Sequence, residues 1–93
     1  MNSDPLSLLR GQIDDLDDQI ISLLARRFAL LADVVKVKRE FGIPHRVESR
    51  VQAVLDRNEA RGQASGLPSG YVRHIFEYII EQSHKYELPQ LGH

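Results

Sequence analysis

Between Leu6 and Phe41 the apolar residues recur at alternating steps of three and four: Leu6, Leu9, Ile13, Leu16, Ile20, Leu23, Leu30, Val34, Val37 and Phe41. A 3.5-residue period keeps one face of a helix towards a partner helix, so the spacing predicts one long helix over residues 6–41, made to pack against other helices. The slot in the series filled by neither an aliphatic nor an aromatic side chain is Arg27. A helix of 36 residues is about 54 Å long, whereas a globule of 93 residues is roughly 30 Å across. Within the stretch only Gly11 weakens the helix, by about 1 kcal/mol relative to alanine. The overhang therefore needs a second copy of the chain to cover it, and the expected assembly is an intertwined helical homodimer.

With 42% hydrophobic and 27% charged residues, the chain fits one ordinary globular domain over residues 1–93 rather than a disordered or membrane protein. A core built by one chain of this size is marginal. The sequence has no cysteine, hence neither a disulfide nor a thiolate zinc site, which leaves oligomerisation to supply the missing burial. Lack of cysteine also fits a reducing compartment. The opening MNSDPLSLL has neither a basic n-region nor a sustained apolar run, and no segment reaches transmembrane length, so the expected location is the cytoplasm, with no membrane partner. Twelve basic residues against thirteen acidic ones give a net charge of −1. That balance excludes a general nucleic-acid binder, whose affinity comes from neutralising many phosphates.

Along the chain, Asp4-Pro5 is a helix start signal, with aspartate as N-cap and proline at the first helical position. Gly42 and Pro44 close the first helix. A short second helix is expected from about Arg46 to Arg61, with an apolar stripe of Val47, Val51, Val54 and Leu55. GQASGLPSG, residues 62–70, is a loop by composition. The third helix begins at Ser69 or Gly70 and ends before Leu88-Pro89, because proline disfavours the α conformation in the residue before it. The remaining PQLGH is expected to fray. Strand signals are absent, so the fold class is all-α, with three helices per chain: long, short and medium.

The buried face of the third helix runs through Val72, Ile75, Phe76, Ile79 and Ile80, and its continuation falls on Ser83 and Glu87. Arg27 and Lys38 are eleven residues apart, three turns plus about 20°, so they share a face some 16 Å apart along the axis, with Val34 between them. Each charge has a bland reading: an ion pair or register residue for Arg27, a snorkelling surface lysine for Lys38, a surface cation for Arg50, a fraying helix end for Ser83 and Glu87. Together, Arg27, Lys38, Arg50, Ser83 and Glu87 fall on the inner faces of three helices. Cations buried without matching acids are expensive, so a small anionic ligand with a hydrophobic middle is the natural counter-charge.

LRGQIDDLDDQIISLLARR (9–27), VVKVKREFG (34–42), HRVESRV (45–51) and FEYIIEQS (76–83) resemble the all-helical chorismate mutases and their relatives the isochorismate-pyruvate lyases. The likeness covers nearly the whole chain, and the spacing of Arg10, Arg27, Lys38 and Arg50 agrees with the family's active-site cations without a gap. The resemblance implies a dimer with two equivalent sites, each lined by one chain's Arg27, Val34, Lys38, Arg50, Ser83 and Glu87, with Arg10 reaching in from the other chain. The arginines hold the two carboxylates of the substrate, and Arg46 stands near the entrance. The implied reaction is the Claisen rearrangement of chorismate to prephenate, a single step that needs no nucleophile, metal or cofactor. Catalysis would come from selecting a reactive conformer and from donors placed at the ether oxygen, with Lys38 and Glu87 as those donors. An activating synthase, which some weak relatives use, is a further partner the resemblance admits.

Two departures from the family pattern stand out. Many relatives carry glutamine where this chain has Glu87, and a carboxylate only accepts hydrogen bonds, so Glu87 serves the ether oxygen only when protonated. Burial favours the acid form and nearby cations the ionised one. At Val51 and Val47, typical mutases place acidic residues that hold the ring hydroxyl. A small apolar residue after the arginine matching Arg50 also occurs in the pyruvate-lyase relatives. Isochorismate cleavage to salicylate and pyruvate, or rearrangement of a 4-amino-substituted chorismate, are accordingly the alternative activities. A non-catalytic helical dimer, acting as adaptor or regulatory module, is the alternative from another class.

Overall fold

The computed structural model describes residues 4–91. These form α1 (Ser7–Ala29), α2 (Leu31–Phe41), α3 (Glu48–Ala64) and α4 (Tyr71–Leu91), with no strand among the described residues. The long element expected over 6–41 is present as α1 and α2, with Leu30 as the turn residue. Leu30 keeps right-handed helical dihedrals (φ −68°, ψ −18°), and its N–H donates to the Arg27 carbonyl at 3.2 Å, an i to i−3 bond. The chain divides here into two units, one ending at Leu30 and one beginning at Leu31.

In the first unit the expected start, with Asp4 as N-cap and Pro5 at the first helical position, is corrected: Leu6 is the N-cap, without a side-chain cap bond, and Asp4 ties the turn that precedes it. Its Oδ1 accepts the Leu6 N–H at 2.9 Å and its carbonyl the Ser7 N–H at 3.1 Å, so the regular helix starts at Ser7, two residues beyond Pro5. No residue of α1 is buried. The seam residues Leu9, Ile13, Leu16 and Ile20 are 54–56% exposed.

The second unit is built on α4. Val51 and Leu55 of α3 pack with Ile80 of α4, flanked by Val54 and Phe76. On α2 the buried residues are Leu31 and Val35, and Lys38 follows on the same face at i+7. This corrects the expected inner face of that segment, one position out of register: Leu30, Val37 and Phe41 are exposed and Val34 is half-buried. The face that contacts α4 is thus the neighbour of the 3.5-period seam, not the seam itself.

Gly42 closes α2 as expected. Its φ of 65° lets the Ile43 N–H turn back to the Lys38 carbonyl at 2.8 Å, a left-handed C-terminal closure that costs glycine no Cβ clash. Residues 62–64, expected to be loop, are helical instead. Gly62 is buried, and a Cβ there would lie 2.3 Å from Cγ2 of Val72, so the glycine permits close approach of α3 and α4 rather than a turn. The expected end of the last helix before Leu88 is also corrected, since α4 continues through Pro89 to Leu91. Proline removes one N–H in the final turn. That turn is tied down by the Gln90 amide donating to the Tyr86 carbonyl at 3.0 Å and by Arg39 donating to the Gln90 carbonyl at 2.6 Å. The remainder of the tail expected to fray, residues 92–93, lies outside the described residues. No helix of the described residues is long and apolar enough to cross a membrane.

Candidate active site

On α4 the apolar face of Ile80 continues into Ser83 and Glu87, which are 7% and 3% exposed. The i, i+3, i+7 spacing that buries Ile80 carries these two polar groups inside with it. Ser83 is satisfied locally, donating its hydroxyl to the Ile79 carbonyl at 2.9 Å. Glu87 is satisfied across the unit by Lys38 of α2, whose Nζ donates to Oε1 at 2.6 Å. The same Nζ donates to the main-chain carbonyl of His45 at 2.7 Å. An ammonium has three N–H donors, and these two acceptors engage two of them.

The sequence assigned the counter-charge of its inner-face cations to a ligand. For Lys38 the structure supplies that charge from the chain itself, through Glu87. Only 17% of the Lys38 side chain is exposed, which makes it an enclosed donor rather than a snorkelling surface lysine. Val34, half-buried, lies one turn before it on α2.

The remaining expected site residues are spread over the chain. Arg27 is half-buried on α1, in the first unit. Arg10, also in that unit, is exposed and ion-paired with Asp4 at 2.7 Å. Arg46 is exposed in the connector before α3, and its Nε donates to Glu48 at 2.9 Å. That bond holds the Glu48 carboxyl below the usual carboxylate range. Arg50 was expected on an inner face but is exposed, because Val51 and Leu55 occupy the stripe of α3 that meets α4 and residue 50 lies about 100° round the helix from Val51. Val51 itself is 5% exposed, and Val47 stands in extended conformation at the helix start (φ −112°, ψ 108°).

Two hollows flank these groups. One of about 290 Å³ lies between α3 and α4, with Arg46 and Gln52 on one lip, Glu77 and Glu81 on the other, and Val51, Leu55 and Ile80 as floor. The other, of about 330 Å³, is lined by Lys38, Arg39, residues 42–44, Gln90 and Leu91. No three His, Cys, Asp or Glu among the described residues lie together as a metal-binding group.

Two histidines escaped the sequence reading. The rings of His45 and His84 meet edge to face, centroids 5.8 Å apart at 86°, and the Nδ1 of His84 is buried without a hydrogen-bond partner. Burial lowers the His84 pKa below the ordinary imidazole value, helped by the positive charges of Lys38 and Arg46 and by His45, and opposed by Glu87. The two lie 39 positions apart in sequence, so no local pattern joins them.

The interior of the second unit thus ends in an enclosed ammonium, a carboxylate and a hydroxyl. Comparison with known proteins shows the family. The model of the family described as chorismate mutase type II matches residues 9–88, and the chain belongs to that family. It is similar to the T-protein of Enterobacter agglomerans, 32% identical over 82 residues covering 88% of this chain and 22% of the relative. The bifunctional chorismate mutase/prephenate dehydratase of Escherichia coli (strain K12) is 35% identical over 82 residues, covering 88% of this chain and 21% of the relative. The chorismate mutase of Methanocaldococcus jannaschii is 30% identical over 78 residues, 84% of this chain and 79% of the relative. The chain thus spans about a fifth of the length of the first two relatives and most of the third.

Proposed function

We propose that this chain is a chorismate mutase, rearranging chorismate to prephenate in a single domain that works as a homodimer. The observation that carries the proposal is the enclosed Lys38 ammonium, held by Glu87 and the His45 carbonyl with one donor to spare, in a chain of the type II chorismate mutase family. In the rearrangement the breaking ether oxygen gains negative charge, and a fixed ammonium in a site shielded from water stabilises that charge more than it stabilises the ground state. Arg27, Arg50 and, from the second copy, Arg10 would hold the two carboxylates, Arg46 would stand at the entrance, and Val34 would floor the pocket. Ser83 and Glu87 would complete the polar wall, Glu87 donating to the ether oxygen when protonated.

Glu87→Gln tests that role, because an amide donates a hydrogen bond where a carboxylate only accepts one. The variant is expected to raise kcat/KM on chorismate at neutral pH, and a value equal to the parent's would remove Glu87 from the chemistry.

A second reading is favoured by Val51, buried among apolar neighbours and unable to bond a ring hydroxyl. The substrate would then be isochorismate, cleaved to salicylate and pyruvate, or an amino-substituted chorismate. Incubating the purified protein separately with chorismate and isochorismate, with substrate absorbance followed and products identified, decides among these. Turnover of neither substrate would leave the reading of a helical adaptor or regulatory dimer. Activation by a synthase would show as a rise in kcat/KM on adding that enzyme.

A further inference from the structure

The side chains of His45 and His84 have no part in the mechanism above, yet both act electrostatically within the group that holds its central cation. The connector between α2 and α3, residues 42–47, has no regular structure. Two of its ties run to Lys38: the Ile43 N–H donates to the Lys38 carbonyl at 2.8 Å, and the Lys38 ammonium donates to the His45 carbonyl at 2.7 Å. The side chain of His45 supplies a third tie, the edge-to-face contact with His84 of α4. A lysine ammonium on its flexible four-carbon stem goes where its acceptors are. One acceptor, Glu87, rides on a packed helix; the other rides on the connector.

We infer that His84 is a positioning residue: its ring clamps His45, so that the His45 carbonyl fixes the Lys38 ammonium beside Glu87 and aims its third donor. The inference rests on the mutase reading for its consequence in catalysis, but the clamp itself is a statement about Lys38.

The clamp needs an uncharged His84. An imidazolium there would be favoured by Glu87 of its own helix and faced by Glu48 of α3, and opposed by the Lys38 ammonium from α2 and by the Arg46 guanidinium and His45 ring from the connector. Burial of the ring already penalises the charged form, and its buried Nδ1 has no acceptor to which a proton could be donated. Acid therefore loosens the clamp, whereas a phenylalanine in its place keeps the ring contact and cannot titrate.

The test compares the full-length parent with His84→Ala, His84→Phe and His45→Gly on chorismate. His84→Ala is expected to lose kcat by up to roughly 100-fold, the cost of a misplacement near 1 Å, with KM little changed. His84→Phe should restore most of that loss and hold its kcat to lower pH than the parent. His45→Gly should match His84→Ala, with no further loss in the double variant, because the two act as one unit. A purely structural role would change the yield of folded protein and leave kcat per folded site and the pH profile alone. Parental kcat and profile in His84→Ala, or additive losses in the double variant, overturn the inference. Should the parent itself not turn over chorismate, the mutase reading fails separately, and ¹⁵N NMR of the Lys38 ammonium decides the clamp. Its signal is expected to shift and its protons to exchange faster in His84→Ala, and an unchanged signal overturns the inference.

Discussion

Replacing Lys38 by methionine would take from the Glu87 carboxylate, itself 3% exposed, the cation it pairs with at 2.6 Å. Breaking a buried pair from one side costs about 3–5 kcal/mol, because the surviving charge remains desolvated, whereas replacing both partners by apolar groups of similar volume is often near neutral. Lys38→Met is therefore expected to lower the unfolding free energy by about that amount, and Lys38→Met/Glu87→Leu to recover most of it, as read by urea denaturation at neutral pH. A double variant as unstable as the sum of its two singles would show that the ammonium and the carboxylate do not depend on each other. It follows that loss of activity in a Lys38 variant mixes chemistry with folding. Glu87→Gln, which keeps a hydrogen-bond acceptor beside the ammonium, separates them. At this scale the sequence put polar residues correctly on the inside of the last helix. It missed that one of them neutralises Lys38, since 49 positions separate the two and only the packing of α2 on α4 brings them together.

Among elements, what could be read from the sequence was what repeats within one helix: the α3 stripe of Val51 and Leu55, the α4 face of Ile80, Ser83 and Glu87, and the Gly42 closure. What could not be read depends on a neighbour. Composition assigns Gly62 to a loop, glycine being a turn former, but its place is set by Val72 of α4. Gly62→Ala is expected to destabilise by about 1–3 kcal/mol through overpacking, although alanine is the better helix former by about 1 kcal/mol. A variant as stable as the parent in urea would mean that Val72 moves aside freely. The start of α4 offers a second case, since it has no capping side chain of its own. Glu59 of α3 supplies one, its carboxylate accepting the Gly70 N–H at 2.5 Å and the Arg73 N–H at 3.2 Å. The bond from Gly70, first, and one from Gln63 hold its pKa below the usual carboxylate value. The folded state thus keeps Glu59 ionised where the unfolded chain protonates it. Its contribution is complete above about pH 4.5 and is lost as pH falls through the lower folded value. Glu59→Gln should shift the urea midpoint down at neutral pH, and the gap to the parent should close in strong acid. A gap that persists unchanged at low pH would assign Glu59 no capping charge.

For the whole molecule the deciding element is α1. Its stripe of Leu9, Ile13, Leu16 and Ile20 is more than half exposed, and an amphipathic helix draws its stability from packing that stripe, not from propensity. The proposed homodimer would cover that stripe. It would also have a catalytic meaning, because Arg10 lies on α1 with only Asp4 beside it as an ion-pair partner among the described residues. If Arg10 completes the site of the other copy, two inactive variants must rescue each other. Arg10→Ala and Arg50→Ala, both at exposed positions and so expected to fold, should each have low kcat/KM. Unfolding and refolding them together in equal amounts makes about half the dimers mixed. Each mixed dimer holds one site with both arginines, so about a quarter of the parental activity per site is expected. Were Arg10 to serve its own chain, every site in the mixture would still lack one arginine, and the mixture would be as inactive as its components.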